Sequence, residues 1–420
     1  LLILLSLTPT SALKFLCYSP RFASSHANFL GKLSDALVDA GHEVILLSPV
    51  LDSKIRRPGT AKARVFEIPQ SEFGRAFEKR MSESVIVDFW KGTESWRAIQ
   101  SWGTTFDLWV AQCNYTINYP GLLDTLRDEK FDAGFGESLD WCMAGLFHLV
   151  GIDKFAITES IALKDGFHAI TQVPNAPSYV PCESYFLGCC QRIISAILGG
   201  SFTDESEPLV DFPRPSAARL IDLGGIAVSN AHGVLEEHWS AVFDLRPKTV
   251  LMSFGTLAQA WAMPEHYKET IRTTARAMPD VTFIWKYEKP EHNVTQGIAN
   301  LIEAARCSPL RLHDSLRTGQ HYGSQLCRYR NQAKKTAQML YDKPFTAREI
   351  FVRNMEFLAK HGPLRQLDHH GRNLNVFQFY LIDVIGAVVV SACIAVALSL
   401  FGVAKVTSFL RMAFRLKKKL

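Results

Sequence analysis

The segment from residue 13 to residue 47 constrains the fold more than any other part of the chain. An apolar run at 13–18 is followed by a loop and then by apolar residues at spacings of three and four, which predict a helix. Gly41 ends this helix before a second apolar, β-branched run at 44–47. A strand, a helix and a strand in this order form a βαβ unit of a parallel sheet. We therefore predict an α/β protein.

His26 lies in the loop between the first predicted strand and its helix. Ligands of parallel sheets bind beyond the carboxyl ends of the strands, at loops of this kind. The positive end of the helix disfavours an imidazolium there, and a neutral imidazole can accept a proton. The position predicts a general base. A solvated histidine near a helix N-terminus is the alternative that the position leaves open.

Glu137 is a second candidate, because it follows a buried strand predicted at 131–136. The carboxyl ends of parallel strands share one edge of the sheet, so Glu137 and His26 can meet although they are distant in sequence. A carboxylate beside a histidine holds its tautomer and stabilises the imidazolium that forms when the base takes a proton. Asp140 competes for this role, and a solvated loop carboxylate is the other alternative.

A second α/β unit follows a stretch rich in Pro and Gly at 208–225, which predicts an inter-domain linker. Strands are predicted at 249–254 and 281–286. Gly255 and Thr256 follow the first of them, where a backbone N–H and a hydroxyl suit a phosphate group. Only two strands are predicted here, whereas a doubly wound domain has about five or six. We therefore expect the second domain to be incomplete.

The two ends of the chain indicate targeting and membrane insertion. Residues 1–12 form a short apolar segment that ends in small residues, as the remnant of a secretory signal peptide does, and a buried first strand is the alternative. A transmembrane helix is predicted at 376–404, because residues 384–403 carry no charge and are numerous enough to cross a bilayer. The basic residues at 405–420 predict a cytosolic tail and a single-pass type I topology.

The last residues, Lys417 to Leu420, resemble a dilysine retrieval signal of the endoplasmic reticulum, and a polybasic anchor for anionic lipid is the alternative. We expect lumenal domains, in which Asn114 and Asn293 begin two N-x-T glycosylation sequons. The nine cysteines show no metal-ligand spacing, so we expect no metal site and one or two disulfides of unassigned pairing. The net charge of +5 is small and argues against a nucleic-acid partner.

Several further segments match one known family in the family's order. They lie at 22–32, 131–151, 211–215, 224–226, 248–256, 278–287 and 356–373, and the apolar segment and basic tail follow them. Together they cover most of the chain, and they resemble the UDP-glucuronosyltransferases, the membrane-type UDP-glycosyltransferases, most closely the nematode members.

The resemblance implies a GT-B fold, in which two Rossmann-like domains face each other. Residues 13–207 would form the first domain and bind a lipophilic acceptor, and residues 226–375 would form the second and bind a UDP-sugar. In such folds the aromatic-rich region at 71–112 covers an acceptor pocket, and a core-facing aromatic stripe is the alternative.

The resemblance also implies roles for single residues. His26 would deprotonate the acceptor, with Glu137 at the position of the family's acidic partner, which is commonly Asp. The alcohol would attack the anomeric carbon with inversion, and Gly255 and Thr256 would lie near the diphosphate of the donor. The co-substrate would be UDP-glucuronic acid or UDP-glucose, with no metal or redox cofactor.

One part of the chain departs from the family. Its donor signature is not found after Ile298, and residues 304–329 match nothing in it. His321 and Gly323 resemble part of that signature only superficially, so they receive no role. The expected activity is sugar transfer. The alternative is a catalytically inactive membrane-anchored relative that binds acceptors or acts as a homo- or hetero-oligomer partner.

Overall fold

The computed structural model describes residues 12–81, 90, 95–160, 201–204, 209, 218–227, 237–255, 258–304, 332, 335–367, 375–379 and 381–417. The chain divides into two units, residues 1–365 and residues 366–420.

The first sheet of the larger unit has seven strands in the order β3-β2-β1-β4-β5-β6-β7, and all pairs of neighbours are parallel. Its central strands are buried on both faces, as near-continuous apolar runs predict. The strands are β1 (Lys14–Tyr18), β2 (Glu43–Pro49), β3 (Arg64–Ile68), β4 (Ala133–Glu137), β5 (Phe155–Glu159), β6 (Ser201–Asp204) and β7 (Leu220–Asp222).

Helices cover both faces of this sheet. They are α1 (Ser24–Asp39), α2 (Glu72–Met81), α3 (Ser95–Ile117), α4 (Leu122–Asp128) and α5 (Cys142–Val150). The apolar residues of α1 pack on one face, and those of α4 and α5 pack on the other. A disulfide between Cys113 and Cys142 joins α3 to α5. The predicted α/β class with parallel strands is therefore confirmed.

The second sheet lies in the same unit and contains three parallel strands, in the order β10-β9-β8. The strands are β8 (Lys248–Met252), β9 (Val281–Lys286) and β10 (Leu301–Ala304), and the helices around them are α6 (Glu237–Asp244) and α7 (Glu265–Ala277). Short 3-10 turns occupy Ala260–Ala262, Pro290–His292 and Arg365–Leu367. The sequence predicted β8 and β9 but not β10. Most of the unrecognised segment at 304–329 lies outside the described residues.

Helix α8 (Ala347–His361) packs on the first sheet, although it lies within the range 226–375 predicted for the second domain. Its Phe351 ring lies 5.6 Å from the Phe135 ring of β4. Strand β7 lies within the range predicted as a linker, and it pairs with β6. Apolar residues from two distant parts of the chain thus complete the core of the first sheet.

The smaller unit consists of α9 (Val376–Phe379) and α10 (Ile382–Lys417). The positive φ of 55° at Leu381 separates the two helices. In the described part of the chain, Ile382–Ser408 is a helical span with a mean hydropathy of 2.7, long and apolar enough to cross a membrane.

Candidate active site

The first strand pair at which the sheet order reverses is β1 with β4, and ligand sites of open α/β sheets lie at such points. His26 lies in the first turn of α1, which follows β1. Glu137 is the last residue of β4. The topology therefore brings both predicted residues to one edge of the sheet, where the sequence placed them.

The two side chains are in direct contact. Nδ1 of His26 lies 2.7 Å from each carboxylate oxygen of Glu137. Glu137 is 2% exposed, and the His26 side chain is 13% exposed. Since an ionised carboxylate only accepts hydrogen bonds, Nδ1 carries the proton and donates it. Nε2 of the neutral ring then has a lone pair, which is what a general base requires.

Ser160 is a third member of this cluster that the sequence did not predict. Its hydroxyl lies 2.6 Å from Oε1 of Glu137 and 2.8 Å from Nδ1 of His26. Its backbone N–H donates to the same carboxylate oxygen at 3.0 Å. Ser160 is the first residue after β5, the strand beside β4. Its place at the carboxyl end of a neighbouring strand was the one signal available in the sequence.

Asp140 does not join the cluster. Its carboxylate accepts a hydrogen bond from the Tyr18 hydroxyl at 3.0 Å and from the backbone N–H of Cys142 at 2.9 Å, at the start of α5. Burial raises the pKa of Asp140 to about 6, and these two hydrogen bonds oppose the shift. Burial also raises the pKa of Tyr18. Asp140 is a structural carboxylate, so Glu137 is the partner of His26.

An apolar wall stands beside His26. The Phe22 ring lies 4.5 Å from the His26 ring and 5.6 Å from the Trp109 ring. Leu51 and Leu108 are buried in the same cluster, and Phe77 packs against it. Of the aromatic-rich region at 71–112, Phe77 and Trp109 therefore line this wall. An apolar wall beside a base suits a lipophilic acceptor.

The same aromatic-rich region also reaches the second sheet. The indole N–H of Trp90 donates to the backbone oxygen of Gln259 at 2.8 Å. Its ring lies edge-on to Phe254, with 5.1 Å between ring centroids. Phe254 precedes Gly255 in the loop after β8. One segment therefore contacts elements at both sheets.

The loop after β8 is the predicted phosphate site. Gly255 is exposed and has a φ of 79°, a conformation that favours glycine. Thr256 lies outside the described residues. Lys286, at the end of β9, donates from Nζ to the Gly255 backbone oxygen, and Nζ lies 3.4 Å from a carboxylate oxygen of Glu288. A lysine ammonium beside this loop supplies a cation for an anionic ligand.

Within the described ranges, no group of three or more His, Cys, Asp or Glu side chains is arranged to hold a metal ion.

Comparison with known proteins gives a family match. The model of the family described as UDP-glucoronosyl and UDP-glucosyl transferase matches residues 16–192. A Caenorhabditis elegans protein named as a UDP-glucuronosyltransferase, ugt-55, is 26% identical in an alignment of 324 positions that covers 68% of this chain and 62% of that protein. A second, ugt-48, is 20% identical over 484 residues, covering 90% of this chain and 91% of that protein.

Two lengths in these alignments are informative. The match with ugt-55 spans less than two thirds of the relative's length, 62%. The alignment with ugt-48 runs over 484 residues, more than the 420 of this chain. That relative therefore contains residues without a counterpart here. Among solved structures, Arabidopsis thaliana UGT89C1 complexed with UDP-L-rhamnose has a TM-score of 0.45 at 14% identity, covering 70% of each chain.

Proposed function

Because the chain belongs to the UDP-glycosyltransferase family, we propose that it transfers glucuronic acid or glucose from a UDP-sugar to a small lipophilic acceptor. The acceptor group is a hydroxyl or a carboxylic acid. The observation that carries this proposal is the contact of 2.7 Å between Nδ1 of His26 and the buried Glu137 carboxylate. A neutral histidine backed by a carboxylate is the arrangement that activates an alcohol.

In the proposed reaction, Nε2 of His26 takes the proton of the acceptor hydroxyl. The acceptor oxygen attacks the anomeric carbon in line, the bond from that carbon to the UDP oxygen breaks, and the configuration inverts. Glu137 stabilises the imidazolium that forms. Phe22 and Trp109 supply the apolar surface for the acceptor ring.

The donor would bind at the second sheet. The exposed Gly255 would offer its backbone N–H to the diphosphate, and Thr256, the next residue in the sequence, would add its hydroxyl. Lys286 would add a charge-assisted contact to the phosphates, since its ammonium already contacts this loop. These groups would stabilise the charge on UDP as it leaves.

The protein would be anchored by α10 in the membrane of the endoplasmic reticulum, with its catalytic part in the lumen and its basic tail in the cytosol. The apolar span Ile382–Ser408 supports the anchor. The disulfide between Cys113 and Cys142 supports a lumenal location, because disulfides persist in oxidising compartments.

A second candidate is a non-catalytic relative that binds acceptors or partners but no donor. Two observations favour it: the second sheet has three strands in the described ranges, and ugt-48 has residues with no counterpart in this chain. The two candidates differ in whether UDP binds.

A transfer assay tests the first candidate. The full-length chain in detergent is incubated with a phenolic acceptor and either UDP-glucuronic acid or UDP-glucose, and the glycoside is measured by mass spectrometry. We expect product with one of the donors and none from His26→Ala, which retains acceptor binding. Full turnover by His26→Ala would exclude histidine as the base, and absence of product from the unmodified chain with both donors would favour the second candidate.

A further inference from the structure

Ser160 is the residue of the cluster to which neither the sequence nor the family comparison gives a role. We propose that Ser160 is a positioning residue, which fixes the Glu137 carboxylate behind His26 so that Nε2 of His26 is presented to the acceptor. This inference rests on the proposed function of His26. It requires that Ser160 act on Glu137 and not on a substrate.

The need for such a residue follows from the side chain of Glu137. The terminal torsion of a glutamate has a broad energy profile, so its carboxylate plane is weakly defined by the side chain alone. Here the carboxylate is buried at 2% exposure, where an oxygen without a donor is destabilising. A fixed orientation therefore requires donors from the surrounding chain.

Ser160 supplies two of these donors to one oxygen. Its hydroxyl donates to Oε1 at 2.6 Å and its backbone N–H donates to Oε1 at 3.0 Å. With its only proton directed to Glu137, the hydroxyl turns a lone pair toward Nδ1 of His26, at 2.8 Å. Nδ1 is then surrounded by acceptors and must carry the proton. The ring is thereby held in the tautomer that has its lone pair on Nε2.

The backbone of Ser160 is itself held in place. Glu137 and Thr158 are register partners in β4 and β5, and the Thr158 hydroxyl donates to the Gly136 oxygen at 3.0 Å. The ends of the two strands are therefore tied together just before Ser160. A rigid element of this kind is what a residue needs to position another side chain.

Ser138 provides a matched control. It is adjacent to Glu137 and 2% exposed, and its hydroxyl has no hydrogen-bond partner among the residues that the structure describes. Ser138→Ala removes the same atom as Ser160→Ala, at a more deeply buried position, without removing a contact to the carboxylate. Ser160→Thr is the conservative variant, since it keeps the hydroxyl.

Steady-state kinetics of the full-length chain test the inference. We expect Ser160→Ala to lower kcat about 10- to 100-fold, the effect of losing one hydrogen bond to a charged group, with the acceptor KM within about twofold of the unmodified value. Ser160→Thr and Ser138→Ala should stay within about threefold in kcat. Full kcat in Ser160→Ala, or a loss carried by KM, would overturn the inference.

A double-mutant cycle separates positioning from a general structural effect. If Ser160 acts through the carboxylate, Ser160→Ala should lower kcat less than about threefold in a protein that already carries Glu137→Gln, because the effects of the two changes are coupled. If Ser160→Ala caused a general structural defect, it would lower kcat by the same factor in the unmodified chain and in Glu137→Gln. That result would contradict the inference.

Chemical modification gives a readout that does not require sugar transfer. Diethyl pyrocarbonate acylates the neutral imidazole of His26 at Nε2, and mass spectrometry gives the rate relative to the exposed His266. We expect Ser160→Ala and Glu137→Gln to slow this reaction at least about threefold, and Ser138→Ala to leave it unchanged. If these two variants slow the acylation of His26 and the unmodified chain transfers no sugar, the inference is supported and the proposed function is refuted. An unchanged rate in Ser160→Ala would overturn the inference even if transfer occurs.

Discussion

The carboxyl edges of the two sheets differ in how far they are assembled. At the first edge, His26, Glu137 and Ser160 are in mutual hydrogen-bond contact, and the carboxylate is buried. At the second edge, Gly255 is exposed, and the ammonium of Lys286 is engaged by the loop and by Glu288. Under the proposed function, the acid–base part of the site is thus already assembled, while the proposed donor part has one loop and one cation in the described residues.

This difference has a physical origin. The first edge is built by residues at the carboxyl ends of three neighbouring parallel strands: Glu137 ends β4, Ser160 follows β5, and His26 lies in the first turn of α1, which follows β1. The sheet and the start of α1 therefore position them. A nucleotide site of this fold class draws on several loops at a sheet edge. Under the proposed function, the described part of the second sheet would contribute three strands and the loop after β8 to that task. The proposed sugar transfer therefore depends on whether these three strands and the loop after β8 bind UDP.

The largest expected effect concerns the chemistry of the first edge alone. Glu137→Gln should lower kcat by about 10³- to 10⁴-fold, because the amide cannot stabilise the imidazolium. UDP binding should be unchanged, since the substitution leaves the second edge intact. Kinetics and calorimetry on the same sample measure the two effects. A large loss of UDP affinity in Glu137→Gln would show that the two edges are not independent.

Asp140→Asn is the control for this prediction. Asp140 is also a buried carboxylate, but it contacts Tyr18 and Cys142 instead of His26. Its substitution should leave kcat within about threefold. A loss of kcat as large as that of Glu137→Gln would contradict the assignment of the two carboxylates.

The next largest effect tests whether α8 belongs to the core of the first sheet. Phe351 is fully buried against the first sheet, so Phe351→Ala should lower the free energy of unfolding by about 3–5 kcal/mol. Hydrogen exchange in β1 and β4 should increase accordingly. Phe357→Ala, on the same helix but at a residue 50% exposed, should cost less than about 1 kcal/mol. Equal effects of the two substitutions would exclude α8 from that core.

The smallest of these effects is a pH dependence of the folding stability, which arises from Asp140 beside the first sheet. The pKa of Asp140 is raised to about 6 by burial, so the folded state binds this proton more tightly than the unfolded chain, whose pKa is about 4. The stability from this group is fully present below pH ~4 and is lost as pH rises through about 6. The decline amounts to about 2–3 kcal/mol.

Thermal unfolding measured from pH ~4 to pH ~7 should therefore show a smaller decline in Asp140→Asn than in the unmodified chain. Asp124→Asn, at an exposed position, should keep the full decline. Identical profiles for Asp140→Asn and the unmodified chain would contradict the role of burial.

The sequence predicted the parts of the fold that have a strong local pattern. The strands at the centre of the first sheet were predicted, because long apolar runs mark strands that are buried on both faces. Strands β6, β7 and β10 are only three or four residues long, and so short a run has no measurable period. The packing of α8 on the first sheet was also missed, since helical periodicity shows a buried face but not its partner.

Part of the candidate site was predicted, because two of its residues lie next to strands with a strong apolar pattern. His26 and Glu137 each follow an apolar run, and the geometry of a parallel sheet brings such positions together. Ser160 also follows a strand, but a serine there has no chemical pattern of its own. Its role depends on its distance from Glu137, which the sequence does not contain.

Calorimetric titration of the full-length chain with UDP tests the central claim most directly, because the sugar-transfer account requires the second edge to bind the nucleotide. We expect micromolar binding, weakened about tenfold or more in Lys286→Met by the loss of a charged contact. Lys248→Met, which removes a cation at the other end of a strand in the same sheet, should bind as the unmodified chain does. A folded chain that does not bind UDP, with no heat of binding at two temperatures, would contradict the account and favour the non-catalytic relative.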